Sequence, residues 1–260
     1  MKQLLFTVIL AMSTQIVSAQ EPSPFYWEFI HVEIDVQENG DMLVTETQKY
    51  VFTASYSNKR YRWLPLDKAD SIDNVEVFEG DRKLSVITRI KKNQQWIRWQ
   101  HTLNPPDNHT FVIKYRVKGG LQIDKREDKV YWKAIFKERA APILSGKVIV
   151  RLPAILAKKI RNFKSFGVPA TARQIDTRTF EFVSRGAMPA GEEMEVLVTF
   201  PHGLLNIPLP KSEGIGFLIV VDWVVRMIGW LPLVLFILIL IIISGGGGGG
   251  GRGGGGGGGG

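Results

Sequence analysis

Chemistry needs particular side chains at particular spacings, and this chain offers few. Its histidines, His31, His101, His109 and His202, are scattered, with no metal-ligand spacing and no HExxH. The Gly-x-Ser-x-Gly and Ser-x-x-Lys patterns of activated serines are absent. Leu144-Ser145-Gly146-Lys147 contains Gly-Lys but lacks the earlier glycine and following Ser/Thr of a phosphate-cradling loop. Asp67, Asp70 and Asp73 recur every third residue, not at the alternate positions of a calcium loop, and are read as turn residues. Carboxylates are plentiful, yet nothing selects the two that glycoside hydrolysis would need, and Glu192, Glu193 and Glu195 read as surface charge before a strand. With no cysteine, thiolate catalysis, Cys-based zinc sites and disulfides are excluded. The expectation is a protein with no cofactor and no enzymatic activity.

One stretch is dense in groups that bind. In Tyr56–Leu66, alternation places Arg60 and Arg62 on one face of a strand and Tyr61 and Trp63 on the other. Such a stretch can form a stacking surface for a sugar or base, or a strand whose aromatic side fills the core. The second outcome is expected, with Pro65 ending the strand.

The elements that must position these residues read as β-strands. Phe29–Gln37 alternates cleanly, with Ile30, Val32, Ile34 and Val36 on one face. Glu38-Asn39-Gly40-Asp41 is a hairpin signal, and Met42–Phe52 returns. Its register has two solutions: a two-residue turn sets Leu43 opposite Val36, and a bulged turn selects Met42 and Val44. Further strands are expected at Asn74–Phe78, Leu84–Ile90, Gln95–Gln100, Phe111–Lys118, Lys129–Phe136, Gly146–Leu152, Thr179–Ser184 and Met194–Phe200, with a short helix within Ala154–Phe166. Asn108-His109-Thr110 has the form of a glycosylation sequon. Strands at this spacing predict a mainly β fold, a β-sandwich, with Gly119-Gly120 as a joint between subdomains at 20–118 and 119–213.

The two ends address the domain to a membrane. Met1–Ala19 has the charged start, apolar stretch and small-residue cleavage site of a signal peptide. Residues 215–243 read as a juxtamembrane and transmembrane helix with an uncharged run from Met227 to Ile243, Trp223 and Trp230 at the outer interface, and Asp222 and Arg226 one turn apart. Residues 244–260 form a glycine tail broken only by Arg252 after Ser244, too poor in side chains to pack. This order puts the domain outside the cytoplasm and the tail inside, in a single pass.

Charge is divided along the ectodomain. Residues 20–110 carry 11 Lys/Arg against 14 Asp/Glu, and residues 111–213 carry 19 against 10. The basic half adjoins the bilayer, where Lys158, Lys159, Arg161 and Lys164 are candidate contacts for anionic lipid or an acidic envelope polymer. An extracytoplasmic domain is not expected to meet nucleic acid.

A family resemblance rests on motifs in a shared order: Arg60–Pro65, Tyr115-Arg116-Val117-Lys118-Gly119-Gly120, Val130-Tyr131-Trp132-Lys133, Ala141-Pro142-Ile143, Val148–Pro153 and Phe200-Pro201-His202-Gly203, with the glycine tail at the close. In these the chain resembles the YciQ-type family of predicted bacterial membrane proteins over roughly Trp27–Asn206. The resemblance implies an extracytoplasmic β domain at the cell envelope and no assigned reaction. Longer members carry further membrane helices and a cytoplasmic region before the tail, whereas here one helix runs straight into it. The reading is a binding or interaction module. Its alternatives are an assembly subunit meeting other membrane proteins through Asp222 and Arg226, and an envelope hydrolase.

Overall fold

The structure, a computed structural model, describes residues 23–207. The signal peptide, the helix at 215–243 with Asp222 and Arg226, and the glycine tail lie outside the described residues. No helix among the described residues is long and apolar enough to cross a membrane.

The described chain is mainly β, in three sheets. The first half contributes β1 (Phe25–Val36), β2 (Met42–Phe52), β3 (Lys59–Pro65), β4 (Ser71–Glu79), β5 (Arg82–Lys83), β6 (Ile87–Lys91), β7 (Gln94–Gln100) and β8 (Asp107–Lys118). The second contributes β9 (Leu121–Ile123), β10 (Glu127–Ile135), β11 (Ile143–Arg151), β12 (Asn162–Gly167), β13 (Ala170–Gln174), β14 (Thr179–Ser184) and β15 (Met194–Pro201). An eight-stranded sheet runs β13-β14-β11-β1-β2-β8-β4-β5; a four-stranded sheet runs β12-β15-β10-β9; a three-stranded sheet runs β3-β7-β6.

The large sheet packs one face against both small sheets. Trp99 of β7 meets Phe111 of β8 edge-to-face at 5.5 Å, and Phe163 of β12 meets Phe180 of β14 at 4.8 Å. Val130, Trp132, Val196, Ile97 and Leu64 turn inward onto Ile30, Val32, Val44, Ile113 and Val148 in one continuous core. The joint at Gly119-Gly120 does not separate two cores. β1 and β11, from either side of it, pair in parallel from Trp27 with Ile143 to Asp35 with Arg151.

The first hairpin takes the bulged solution. Met42 lies opposite Val36 and both are buried, while Leu43 points to solvent. The expected helix within Ala154–Phe166 is only a 3-10 turn at Ala154–Leu156, followed by strand β12. Only the end of the expected strand Leu84–Ile90 is strand: β6 begins at Ile87, and Leu84–Val86 connects it to β5, which precedes the expected span and belongs to a different sheet.

Candidate functional site

β3 stands the opposite way round from the expectation. Arg60 and Arg62 are buried, at 4% and 2% exposure, whereas Tyr61 is 42% exposed and Trp63 is half-buried. The aromatic side does not fill the core because the arginines have a stronger claim on it. On β2 the inward positions 46 and 48 are Glu46 and Gln48, and an isolated carboxylate there would be prohibitively costly. Arg62 answers it: Nε and a terminal guanidinium nitrogen donate to the Glu46 carboxylate at 2.9 Å each, and the other terminal nitrogen donates to the Trp63 carbonyl at 2.6 Å. Tyr115 on β8 donates to Glu46 at 2.7 Å and the Gln48 amide donates to it at 2.8 Å. The Gln48 carbonyl in turn accepts from Tyr50 at 3.1 Å and from the Trp27 indole at 3.3 Å. This polar spine crosses β1, β2, β8 and β3 with each member satisfied, the condition under which a buried network can specify a fold. Burial and the neighbouring Glu46 push the Tyr115 hydroxyl well above its usual range, so it remains a donor.

Fixing the arginines inward fixes their neighbours outward. The outer face of the three-stranded sheet follows from register. Tyr61 pairs with Arg98 and Arg98 with Ile87; Trp63 pairs with Trp96 and Trp96 with Arg89; Gln94 pairs with Lys91. Trp63 and Trp96 stack with centroids 5.2 Å apart at 28°. Tyr61, Ile87, Arg89, Lys91, Trp96 and Arg98 line a depression of about 220 Å³. Arg89, Lys91 and Arg98 form no ion pair among the described residues. They are therefore free to meet an anion. The four-stranded sheet repeats the theme on its outer face: Lys68 lies 3.7 Å from the centre of the Tyr131 ring, and Lys164 lies 4.9 Å from that of Phe166. β3, β7 and the four-stranded sheet bury their other faces against the large sheet, so these outer faces point away from it; β6 is exposed throughout, and on the four-stranded sheet Glu195 accepts from Tyr131 at 2.5 Å.

The candidate contacts from the sequence, Lys158, Lys159, Arg161 and Lys164, are all exposed. Lys158 and Lys159 follow the 3-10 turn, with the Lys158 amide donating to Thr177. Arg161 donates from its guanidinium to the Arg126 carbonyl at 3.1 Å, and Lys164 stands on β12.

Other concavities are spoken for or differently built. One, about 820 Å³, includes Arg116, Arg151 and Arg178, but Asp41 holds Arg116, and Glu33 and Asp35 hold Arg151. The loop after β7 brings together two histidines that the sequence left apart. The His101 and His109 rings lie 4.3 Å between centroids. His101 accepts from Arg60 Nε at 3.1 Å on Nε2 and donates from Nδ1 to the Thr102 carbonyl at 2.8 Å, the pattern of a neutral ring. Burial, with the charge of His109, pushes the His101 pKa down to about 4. His109 faces Glu79 at 2.5 Å and Asp107 at 2.9 Å. Among the described residues no group of three or more His, Cys, Asp or Glu is placed to hold a metal ion.

Solved structures resemble parts of this fold. Yeast LTA4 hydrolase in complex with bestatin is 13% identical over 72% of this chain and 31% of its own, with a TM-score of 0.47. An M1 zinc metallopeptidase from Deinococcus radiodurans is 9% identical over 68% of this chain and 42% of its own, with a TM-score of 0.43. The chain thus spans less than half of either protein, and likeness at this level says nothing of its activity. No curated protein matches it. Residues 28–200 match the family model described as the predicted membrane protein (DUF2207) N-terminal domain. The chain belongs to that family of predicted membrane proteins.

Proposed function

We propose that this protein is a membrane-anchored binding module of the bacterial cell envelope. Its β domain lies outside the cytoplasm and engages anionic envelope material through the outer faces of its two small sheets. The observation that carries the reading is the inverted β3. The chain buries two arginines and leaves Tyr61 and the stacked Trp63–Trp96 pair toward solvent, beside cations with no carboxylate of their own. Exposed aromatic groups rimmed by unpaired charge are the usual mark of an interaction surface. The role is binding, with no reaction and no cofactor, on a single helix at 215–243 whose glycine tail lies inside.

The test is binding of acidic polymers and phosphatidylglycerol vesicles to the full chain held in nanodiscs of zwitterionic lipid, at low and high salt. Binding should weaken as salt rises, because exposed charges are screened, and should fall further when Arg89, Lys91 and Arg98 are together changed to Ser. Loss of all binding at low salt would overturn the reading. An unchanged affinity in the triple variant would place the contact elsewhere. Pull-down of a fixed set of membrane proteins that depends on Asp222 and Arg226 would favour the assembly-subunit alternative.

A further inference from the structure

We propose that the ligand of the three-stranded face is an acidic saccharide, stacked on Tyr61 and Trp96 with its acid group held by Arg98 and Arg89; this rests on the binding reading above. The argument begins with what the face offers. Two cross-strand rows lie side by side, Tyr61–Arg98–Ile87 and Trp63–Trp96–Arg89, each carrying aromatic and cationic groups on neighbouring strands. Strand spacing sets ring and cation about 5 Å apart within a row, and the pleat sets the rows about 7 Å apart along the strands. A ligand that satisfies both rows must therefore alternate a flat, weakly polar ring face with an anion over a few ångströms. A sugar bearing a carboxylate does this within one residue.

The chemistry of the groups points the same way. An aromatic face is electron-rich and favours the polarised C–H groups of a sugar ring. Arginine presents a planar fork that takes a carboxylate through two parallel hydrogen bonds, which a lysine cannot do. Two of the three cations lining the depression, Arg89 and Arg98, are arginines, and neither forms an ion pair with a described carboxylate. The depression of about 220 Å³ is smaller than a pocket that encloses a whole small molecule and suits a single ring of a longer chain. Tyr61, Trp96 and Arg98 lie on β3 and β7, whose inner side chains Arg62, Leu64, Ile97 and Trp99 are buried, so little ordering of that part of the face is lost on binding. A lipid surface would instead be met by projecting apolar groups, and Ile87 is the one aliphatic side chain lining the depression.

The experiment follows intrinsic tryptophan fluorescence of the full chain in zwitterionic nanodiscs. The probes are a galacturonate oligomer, its neutral methyl ester, polyglutamate and phosphatidylglycerol vesicles. The galacturonate oligomer should bind most tightly and change the tryptophan signal. Tyr61→Ala and Arg98→Gln should each weaken it about tenfold, as for the loss of one stacking contact or one charge-assisted hydrogen bond. Both positions lie on the outer face, and an unchanged unfolding temperature would show that the variants fold. If polyglutamate binds equally well and neither variant alters the preference, the saccharide assignment falls while the binding module stands. Binding to vesicles alone would overturn the assignment in favour of lipid. Absence of binding to every anionic probe would overturn both.

Discussion

Arg62→Met removes the cation from the centre of the polar spine while keeping much of the side-chain volume. In the native chain the Glu46 carboxylate accepts from Arg62, Tyr115 and Gln48, and it is fully buried. The variant leaves that carboxylate with two neutral donors and no counter-charge. Breaking a buried ion pair from one side costs about 3–5 kcal/mol, most of it the penalty on the charge left behind. For a domain of this size each kcal/mol lowers the unfolding temperature by roughly 2–4 °C, so a fall of about 6–20 °C is expected. Glu46→Gln, which strands the guanidinium, should cost a similar amount. The double variant Glu46→Gln/Arg62→Met strands neither charge, so it should lose at least about 2 kcal/mol less than the sum of the singles. The assay is urea and thermal unfolding of the full chain in nanodiscs, read by near-ultraviolet circular dichroism. A loss below about 1 kcal/mol for Arg62→Met, or simple additivity of the two singles, would refute the argument that this pair sets the facing of β3.

Three further outcomes follow. Because the His101 pKa lies near 4 when folded and near 6.5 when unfolded, the unfolded chain takes up the proton first as pH falls. Stability from this ring is therefore complete above about pH 6.5 and is lost toward pH 4, by at most about 3 kcal/mol, and His101→Gln should flatten the urea midpoint across that window. Gly167 has φ +87°, and a Cβ there would lie 2.1 Å from the Glu193 carbonyl oxygen, so Gly167→Ala should cost well over 2 kcal/mol. Gly191→Ala, with φ +83° but open space, should cost only about 1–2 kcal/mol in the same thermal melts. Arg139 donates to the carbonyls of Phe136, Ala141, Pro189 and Glu192, so Arg139→Met should orphan four acceptors and destabilise by several kcal/mol, at about 1–3 kcal/mol for each one left buried. An unfolding temperature within a few degrees of the parent would contradict this.

The sequence revealed the elements better than their facing. β1 was legible because Ile30, Val32, Ile34 and Val36 alternate with charges, and β14 was legible to the residue because Thr179–Ser184 is aromatic and bounded by turns. β12 and β13 went unseen because NFKSFG and ATARQ are mostly exposed and polar, with little periodic signal to detect. β3 was found but read inside out. Arginine and aromatic residues alternate there with equal regularity, so periodicity cannot say which set is buried. The deciding partner, Glu46, is 16 residues away on another sheet. An aromatic side chain is a sound default for the core, but a buried carboxylate across the interface overrides it, since burying that charge alone costs more than exposing Tyr61 and part of Trp63. The candidate surface is hidden from sequence for the same reason. It combines β3 with Trp96 and Arg98 on β7 and Ile87, Arg89 and Lys91 on β6, and only the three-stranded pairing brings them together. The basic residues at 158–164 were visible as a charge run, and the fold leaves them exposed.

The facing of β3 can be measured directly, because the chain contains no cysteine and a single introduced thiol reports on one position. Tyr61→Cys and Leu64→Cys, in separate full-length chains, are exposed to a maleimide under native conditions and again in urea. With Arg60 and Arg62 inward, Tyr61→Cys should label at the rate of a free thiol, while Leu64→Cys, at a position with 0% exposure, should label only on unfolding. Fast native labelling at position 64 with protection at position 61 would contradict the account, because the aromatic side of β3 would then be the buried one.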